Sequence, residues 1–244
     1  MRVLFSPSEA KSDFIDSKNI SIKSSIFSSL FTKRLEVIEK LKKFLAKSSS
    51  QDIKNFFGVK NGYDNLAKLD LLSSSTCKAV QRYTGVAYKH LDFNTLSDKQ
   101  KNWICENTLI FSNLFGPIRA GDYIPYYRFK QGSTIDGFKT EIFYKKNFSD
   151  AIDNYIGKDL VIDLRANFYE KFYSLKCKHI GMKFIKNKKV VSHWAKAYRG
   201  KVLRDLAKYQ PQSIEEFENI NFSDLAIVEI IEKKLKREYI FKIN

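Results

Sequence analysis

The sequence is poor in cysteine, histidine, glycine and proline. Its 244 residues include 3 Cys, 3 His, 10 Gly and 4 Pro. Three widely spaced thiols cannot form the disulfide framework of a small secreted domain, and so little Gly and Pro excludes collagen-like and low-complexity chains. Among the cysteines and histidines, Cys177 and His179 form the only close pair, without the second pair that a structural zinc site needs. No Walker loop, nucleophile elbow or Gly-rich dinucleotide turn is present, and we expect neither metal nor cofactor.

Long apolar runs are also absent. No segment approaches the ~20 apolar residues of a membrane helix. The apolar start, Met1–Phe5, is ended by Ser6 and Pro7 and is too short for the apolar region of a signal peptide. We expect a cytoplasmic protein without a membrane partner.

The remaining composition is that of a folded, basic protein. Hydrophobic residues make up 43% and aromatic residues 14% of the chain, which excludes disorder. A chain of this length buries about 70–75% of its unfolded surface. The formal net charge is +16, with 34 Lys and only 9 Arg. An anionic partner explains that charge, but so does AT-rich codon usage, which enriches Lys.

The distribution of charge favours an anionic partner. Residues 165–209 contain 13 basic and 2 acidic side chains, so this window carries +11 of the +16, whereas residues 210–244 carry −2. Codon usage gives no reason for such a concentration. The window predicts an anion-binding face.

Hydrophobic periodicity indicates irregularly alternating strands and helices. Apolar runs predict buried strands at 2–6, 108–112 and 160–164, and hairpins at 182–192 and 225–243. Helical spacing predicts helices at 27–47, 51–57, 62–70, 97–106, 138–156, 167–172 and 194–208, with another from Ser73 to about Arg82. The stretch 116–132 is predicted to be irregular. We expect one α/β domain over 1–244, with helices flanking a mixed β-sheet.

The basic helix is the first candidate site. Lys196, Arg199 and Arg204 fall near one side of it, where they could grip backbone phosphates. Gly200 costs about 1 kcal/mol in a helix and suggests a close backbone approach. The alternative is a solvated basic face.

A second candidate is Leu114–Arg128, which mixes turn formers, arginines and aromatic residues. Arg119 and Asp122 could form an ion pair that holds a loop. Tyr126 and Arg128 are at strand spacing, so a base could stack on the tyrosine or a phosphate could bind the arginine. The alternative is a purely structural loop.

A third candidate lies at residues 51–70, where Gly58–Gly62 joins two short predicted helices. Helix–hairpin–helix motifs use such a turn to present backbone amides to phosphate. The turn here is one residue longer than the usual pattern, and a plain helical connection is the alternative.

Five segments together resemble the YaaA family of peroxide-stress-resistance proteins. They occur in the family's order, at Val3–Lys11, Arg82–Tyr88, Phe115–Arg128, Asp163–Tyr169 and Lys196–Gly200. Two departures from the family pattern are Ala10 in place of a glycine and Ala120 in place of a proline, and one extra residue stands between Tyr126 and Arg128.

The resemblance implies an α/β fold with a positively charged cleft and a helix–hairpin–helix-like element. It also implies DNA binding and a role in limiting iron-dependent oxidative damage. Because the basic side chains would neutralise phosphates, we expect the binding of duplex or single-stranded DNA to be without strong sequence preference. No obligate protein partner is evident. The expected phosphate ligands and cleft residues are Lys11, Arg119, Tyr126, Arg128, Arg165, Lys196, Arg199 and Arg204.

Two other functions remain open. An enzyme acting on nucleic acid or a nucleotide is favoured if the polar residues of these segments converge in one pocket; Glu9 and Asp122 are then the candidate acids or bases. Direct iron sequestration is the other, although isolated His and Cys residues argue against it.

Overall fold

In a computed structural model, which describes residues 1–16, 21–61, 63–68, 70–186, 189–190 and 192–243, the chain folds around a mixed β-sheet flanked by helices. The strands are β1 Arg2–Phe5, β2 Thr76–Lys78, β3 Thr108–Ser112, β4 Gly116–Arg119, β5 Tyr123–Pro125, β6 Val161–Asp163, β7 His179–Lys186, β8 Lys189–Val190, β9 Leu225–Glu232 and β10 Lys236–Ile243. The helices are α1 Phe31–Lys47, α2 Ser50–Phe57, α3 Tyr63–Ala67, α4 Ala79–Arg82, α5 Val86–Leu91, α6 Asp98–Asn107, α7 Thr140–Ile156, α8 Ser192–Tyr209 and α9 Ile214–Glu218. Single 3₁₀ turns lie at Ile22–Ser24, Ser28–Leu30 and Phe93–Thr95, and a longer 3₁₀ helix lies at Asn167–Phe172.

The main sheet has the strand order β4-β3-β1-β6-β7-β10-β9, and β8 pairs with the end of β7. The five central strands are parallel, whereas β4 and β9 run antiparallel at the two edges. Strands buried on both faces are continuously apolar, and Val3, Leu4 and Phe5 of β1 are accordingly almost fully buried. The expected α/β architecture with a mixed sheet is confirmed.

The topology creates a crevice between β1 and β6. These strands are neighbours, but the next sheet strand after β1 is β3 on one side, and the next after β6 is β7 on the other. The connections therefore leave the two strands in opposite directions. In open α/β sheets, ligands bind at the carboxyl ends of strands at such a switch point.

Several predicted elements are confirmed and others are wrong. The long helices, the three predicted buried strands and both hairpins are present, although the tip of the first hairpin, 187–188, lies outside the described residues. The helix predicted from Ser73 to Arg82 is wrong, because 76–78 pairs with β5 as a strand and only one helical turn follows. The stretch 116–132 is not wholly irregular, because β4 and β5 lie within it.

Helices α5 and α8 pack closely at Gly200. A Cβ atom at this position would collide with the carbonyl oxygen of Ala87 in α5. The close backbone approach expected from this glycine is confirmed. It brings the side chains of α8 to the same edge of the sheet as the first turn of α5.

The segment 51–70 forms two short helices, α2 and α3. Gly58 ends α2 with φ at +65°, and its N–H and that of Val59 bond back to Asn55 and Lys54, which is a Schellman-type C-terminus. Gly62, the second glycine of the predicted hairpin, lies outside the described residues.

Over the described ranges, no helix is long and apolar enough to cross a bilayer.

Candidate anion-binding site

A concave pocket of about 500 Å³ opens at the carboxyl ends of β1 and β6. Its walls come from the loop after β1, the residues after β6, the start of α5, the 3₁₀ helix and α8. The lining residues are Phe5, Ser6, Pro7, Ser8, Glu9, Ala10, Gly85, Val86, Ala87, Tyr88, Gln131, Leu164, Ala166, Tyr169, Lys196 and Arg199. This is the crevice that the strand order predicts for ligands.

Hydrogen bonds fix the pocket floor. The backbone N–H of Ala166 donates to Ser6 Oγ at 2.8 Å, which joins the segment after β6 to the segment after β1. Tyr88 Oη donates to the Ser6 carbonyl at 2.8 Å and so ties α5 to the same point. Three segments distant in sequence therefore meet at Ser6.

Gly85 is the position where α5 meets the loop after β1. A Cβ atom here would collide with Ser8 Oγ. A side chain here would force Ser8 to move, so the glycine of the Arg82–Tyr88 segment allows α5 and the loop after β1 to approach closely.

Lys11 holds the loop after β1 but does not line the pocket. Its Nζ donates to the carbonyl oxygens of Ser8 at 3.0 Å and Glu9 at 3.3 Å, and lies 4.3 Å from the ring centroid of Tyr127. Burial, followed by the nearby positive charge of Arg128, lowers the pKa of Lys11 to about 7. Lys11 thus positions the loop after β1.

Arg199 and Lys196 are the two cations that line the pocket, one helical turn apart on α8. Arg199 is half-buried and Lys196 is exposed. Burial lowers the pKa of the Arg199 guanidinium, while the negative charges of Asp163 and Glu170 oppose that shift. Within the described part of the chain, neither side chain has a hydrogen-bond or ion-pair partner. Their donors are therefore available to an anion in the pocket.

Glu9 is the carboxylate of the pocket. It is exposed, and its Oε1 accepts a hydrogen bond of 3.0 Å from the backbone N–H of Gln131. This bond ties the loop after β1 to the segment after β5. The second carboxylate oxygen makes no hydrogen bond within the described residues.

Arg165 lies below the pocket, and four of its five N–H donors make hydrogen bonds inside the protein. It is buried, and its guanidinium forms a two-point pair with Asp163 at 2.9 and 2.8 Å. Its Nη1 donates to the carbonyls of Tyr169 at 3.2 Å and Tyr173 at 2.8 Å. Arg165 thereby anchors the 3₁₀ helix beneath the pocket.

Arg204 and Arg128 bind the carboxyl ends of helices. Arg204 Nη1 donates to the carbonyls of Leu91 and Asp92 at the end of α5, at 2.9 and 3.0 Å. Arg128 Nε donates to the Phe57 carbonyl at the end of α2, at 2.8 Å. Terminal helix carbonyls lack intrahelical partners, and cations stabilise that end of the helix dipole. Tyr126 is half-buried, and its ring centroid is 5.9 Å from Arg82 Cζ.

Arg119 and Asp122 lie at the opposite edge of the sheet. Arg119 ends β4 and pairs with Leu109 near the start of β3, which places it at the amino ends of the parallel strands. The expected pair forms, with Arg119 Nε 3.3 Å from Asp122 Oδ1. Asp122 Oδ2 also accepts the backbone N–H groups of Arg119 and Ile26 at 2.8 and 2.9 Å. Asp122 is thus the cap of a turn, remote from Glu9.

Sequence reasoning missed the aromatic walls and the strand-end residues of the pocket. Tyr88, Tyr169 and Phe5 supply buried rings, and Phe5 and Tyr88 meet edge to face at 5.5 Å between centroids. The available signal was Ser6, the polar residue directly after β1. Among the described residues, no group of three or more His, Cys, Asp or Glu side chains is placed to hold a metal ion.

Comparison with known proteins gives the family. The model of a family described as peroxide stress protein YaaA matches residues 1–230. An uncharacterized protein of Campylobacter jejuni is 44% identical over 244 residues, covering 100% of this chain and 99% of its own. UPF0246 proteins of Fusobacterium nucleatum and Corynebacterium efficiens are 30% and 32% identical, covering 88% and 85% of this chain and 89% and 85% of their own. The family model spans all five segments, and the chain belongs to the peroxide stress protein YaaA family.

Proposed function

We propose that the protein binds DNA through its phosphate groups, as part of the response to peroxide stress, and limits iron-dependent oxidative damage there. Arg199 and Lys196 are the phosphate ligands, and they act from the pocket at the carboxyl ends of β1 and β6. The family places the protein in peroxide stress. Limiting iron-dependent damage follows from binding at the DNA that such damage attacks.

The observation that carries the proposal is the pair of cations without partners. A half-buried guanidinium without a direct ion-pair partner is electrostatically costly, and an anion bound at the pocket would add to the partial compensation from Asp163 and Glu170. Phosphate oxygens suit the planar donor set of arginine. Contacts limited to phosphate carry no sequence information, so the binding is sequence-independent.

The segment 51–70 is a second proposed contact with the DNA backbone. The turn from Gly58 to Asn61 is exposed or half-buried, and Lys60 adds a positive charge to it. Arg128 holds the preceding carbonyls of Phe57 and Gly58, so this turn is fixed relative to the strand segment that leads towards Gln131.

A salt titration of binding to duplex and single-stranded DNA tests the proposal. Each neutralised phosphate contributes about −0.9 to the slope of log K against log[salt] on duplex DNA, and about −0.7 on single strands. We expect steep slopes on both and little effect of sequence. Absence of binding at low salt, or a flat dependence on salt, would overturn the proposal.

A second candidate is an enzyme acting on nucleic acid or a nucleotide in the same pocket. It is favoured by the convergence of Glu9, Lys196 and Arg199 from separate segments, since a carboxylate among cations can move a proton. Turnover of damaged DNA that the Glu9→Gln variant loses, while it keeps wild-type affinity, would establish catalysis. If wild-type protein leaves the DNA unchanged after prolonged incubation, DNA binding without catalysis is the function that remains.

A further inference from the structure

We infer that the backbone N–H groups of Glu9 and Ala10, in the loop after β1, form an anion hole that binds the same phosphate group as Arg199 and Lys196. Lys11 is the positioning residue that aims these two N–H groups into the pocket. This inference rests on the proposed function, because it concerns the same phosphate group. The ligand chemistry is a tetrahedral oxyanion, either a phosphate within DNA or a free phosphate ion.

The first argument is the direction in which two carbonyl groups of this loop point. Lys11 Nζ donates to the Ser8 carbonyl oxygen at 3.0 Å and to the Glu9 carbonyl oxygen at 3.3 Å. The same Nζ lies 4.3 Å from the centroid of the Tyr127 ring. Both carbonyl oxygens therefore lie on the side of the loop that the Lys11 side chain occupies.

The second argument follows from the planarity of the peptide bond. In a trans peptide the C=O and N–H bonds point in opposite directions, and the described chain contains no cis peptide. The N–H groups of Glu9 and Ala10 belong to the two peptide units whose carbonyls face Lys11, so they point away from it. Ser8, Glu9 and Ala10 line the pocket and Lys11 does not, which places the two N–H groups on the pocket side.

The third argument is that both N–H groups are unused. Within the described ranges, neither the Glu9 N–H nor the Ala10 N–H donates a hydrogen bond to a backbone or side-chain acceptor. Backbone N–H groups that lose water without gaining a partner cost free energy. A ligand that enters the pocket must therefore offer acceptors to these two groups, which is what an anion does.

Adjacent N–H groups that point to one side of a bend form an anion-binding concavity. The chain bends at Glu9, and the cations Arg199 and Lys196 line the same pocket. An anion between the loop and α8 would satisfy both the N–H groups and the cations. The Glu9 carboxylate opposes an anion, but its hydrogen bond with the Gln131 N–H holds it on the segment after β5.

Two glycine contacts bring the loop and α8 to the same short helix. A Cβ atom at Gly85, just before α5, would collide with Ser8 Oγ in the loop. A Cβ atom at Gly200, which follows Arg199 in α8, would collide with the Ala87 carbonyl oxygen in the first turn of α5. Because Gly85 and Ala87 are neighbours along one turn, the anion hole and the Arg199 cation converge there.

The test is NMR spectroscopy of the ¹⁵N-labelled full chain during a titration with sulfate at constant ionic strength. Sulfate is a tetrahedral dianion like phosphate, but its charge is constant near neutral pH. The backbone N–H signals of Glu9 and Ala10 report on the anion hole, and the side-chain Nε–H signal of Arg199 reports separately on the cation. Binding of duplex DNA is measured on the same proteins.

Two variants separate positioning from charge. Lys11→Met removes the amine that aims the N–H groups and keeps most of the side-chain volume. Lys42→Met is the matched control, because Lys42 is an exposed residue of α1 that pairs with Glu39. Each variant removes one positive charge, but only Lys11→Met releases the carbonyls of the loop.

In wild-type protein, we expect saturating sulfate to move the Glu9 and Ala10 amide protons downfield and to slow their exchange with solvent. Lys11→Met should bind sulfate roughly tenfold or more weakly, because it loses hydrogen bonds to a charged group. Its Arg199 signal should still respond to sulfate, whereas the two amide signals should not. Lys42→Met should behave as wild type in every measurement.

The remaining outcomes distinguish the inference from the proposed function. If sulfate moves the Arg199 signal of wild-type protein but not the Glu9 and Ala10 amides, the inference is overturned, and DNA binding by that protein leaves the proposed function standing. Amide responses that persist in Lys11→Met would overturn the positioning role. Amide responses to sulfate without DNA binding would support the anion hole, with free phosphate as ligand, and overturn the proposed function. Absence of any response to sulfate or DNA would overturn both.

Discussion

An arginine and a carboxylate have different roles at the two ends of the parallel strands. We call these ends the amino edge, where Arg119 and Asp122 lie, and the carboxyl edge, where the pocket opens. At the amino edge, Asp122 accepts two backbone N–H groups and the Arg119 guanidinium, so the pair closes a turn. At the carboxyl edge, Arg199 has no hydrogen-bond or ion-pair partner within the described residues, and the Glu9 carboxylate bonds only to the Gln131 backbone. An arginine and a carboxylate stand at both edges, but among the described residues they are paired with each other only at the amino edge.

The same contrast applies within the basic window 165–209. Arg165 is paired with Asp163, Lys176 with Asp153, Lys183 with Glu238 and Lys201 with Asp224. Their contribution to the net charge is therefore partly neutralised by local carboxylates. Net charge therefore overstates how many of these cations are free to bind an anion.

The largest expected effect concerns Arg165, whose ion pair and hydrogen bonds lie inside the protein. Arg165→Met leaves the Asp163 carboxylate without its partner, and breaking a buried ion pair costs about 3–5 kcal/mol. We expect the free energy of unfolding in urea to fall by that amount. Arg119→Met, on a side chain that is 40% exposed, is the control and should cost about 1 kcal/mol or less. A loss below about 1 kcal/mol for Arg165→Met would show that this ion pair contributes little to the stability of the fold.

Gly200→Ala tests whether the contact of α5 with α8 builds the carboxyl-edge pocket. The new methyl group would collide with the Ala87 carbonyl, and overpacking of this kind costs about 1–3 kcal/mol. We expect lower stability in urea and weaker DNA binding, because both helices line the pocket. Gly137→Ala is the control: its Cβ would meet open space, so only its positive φ is penalised. If Gly200→Ala keeps full DNA affinity, the pocket does not depend on the contact between α5 and α8.

Glu238 forms ion pairs with three lysines, which are therefore not free to bind an anion. Burial alone would raise the pKa of Glu238, but hydrogen bonds from Lys233, Lys236 and Lys183 outweigh it and hold the pKa at about 2. The pKa in the folded state lies below the ordinary value of 4.5. The carboxylate therefore contributes its full stability above pH 4.5 and loses it as the pH falls towards 2.

Unfolding experiments at pH 6 and pH 3 measure this contribution. Wild-type protein should lose more stability between the two values than Glu238→Gln, which has no carboxylate to protonate there. Equal losses in both proteins would mean that the three lysines are not bound to Glu238 and remain available to an anion.

The smallest expected effect is on the alkylation rates of the three thiols. One of them, Cys105, lies against Gly121 near the amino edge. Burial raises the pKa of all three thiols, Cys77, Cys105 and Cys177. Only the thiolate reacts with alkylating reagents, so we expect slower alkylation at pH 7 in the folded protein than in urea. A thiol that reacts faster in the folded protein than in urea would contradict this prediction.

Sequence patterns predicted the elements whose signals are local. The apolar runs of β1, β3 and β6 and the periodicity of α1, α7 and α8 identify these elements without tertiary information. Strands β2 and β5 have three residues each and exist because they pair with each other, which no local pattern reveals. For the same reason the helix predicted at 73–82 was wrong.

The functional site was only partly predictable. The segments around Glu9, Lys196 and Arg199 were identified, and the structure brings these residues to one pocket. Whether a particular arginine is available could not be read from the sequence, because its partners are distant. Arg128 binds a carbonyl 71 residues away, and Arg204 one 113 residues away.

The most direct test of the central claim is the salt dependence of DNA binding by Arg199→Met and Arg119→Met, two single-charge variants at opposite edges. Loss of a charge-assisted contact of about 1.5–3 kcal/mol predicts that Arg199→Met binds roughly ten- to hundredfold more weakly, with a salt slope smaller by about 1. Arg119→Met should retain the wild-type affinity and slope. Equal losses in the two variants would show that only total charge matters, and an unchanged Arg199→Met would remove the carboxyl-edge pocket from DNA binding.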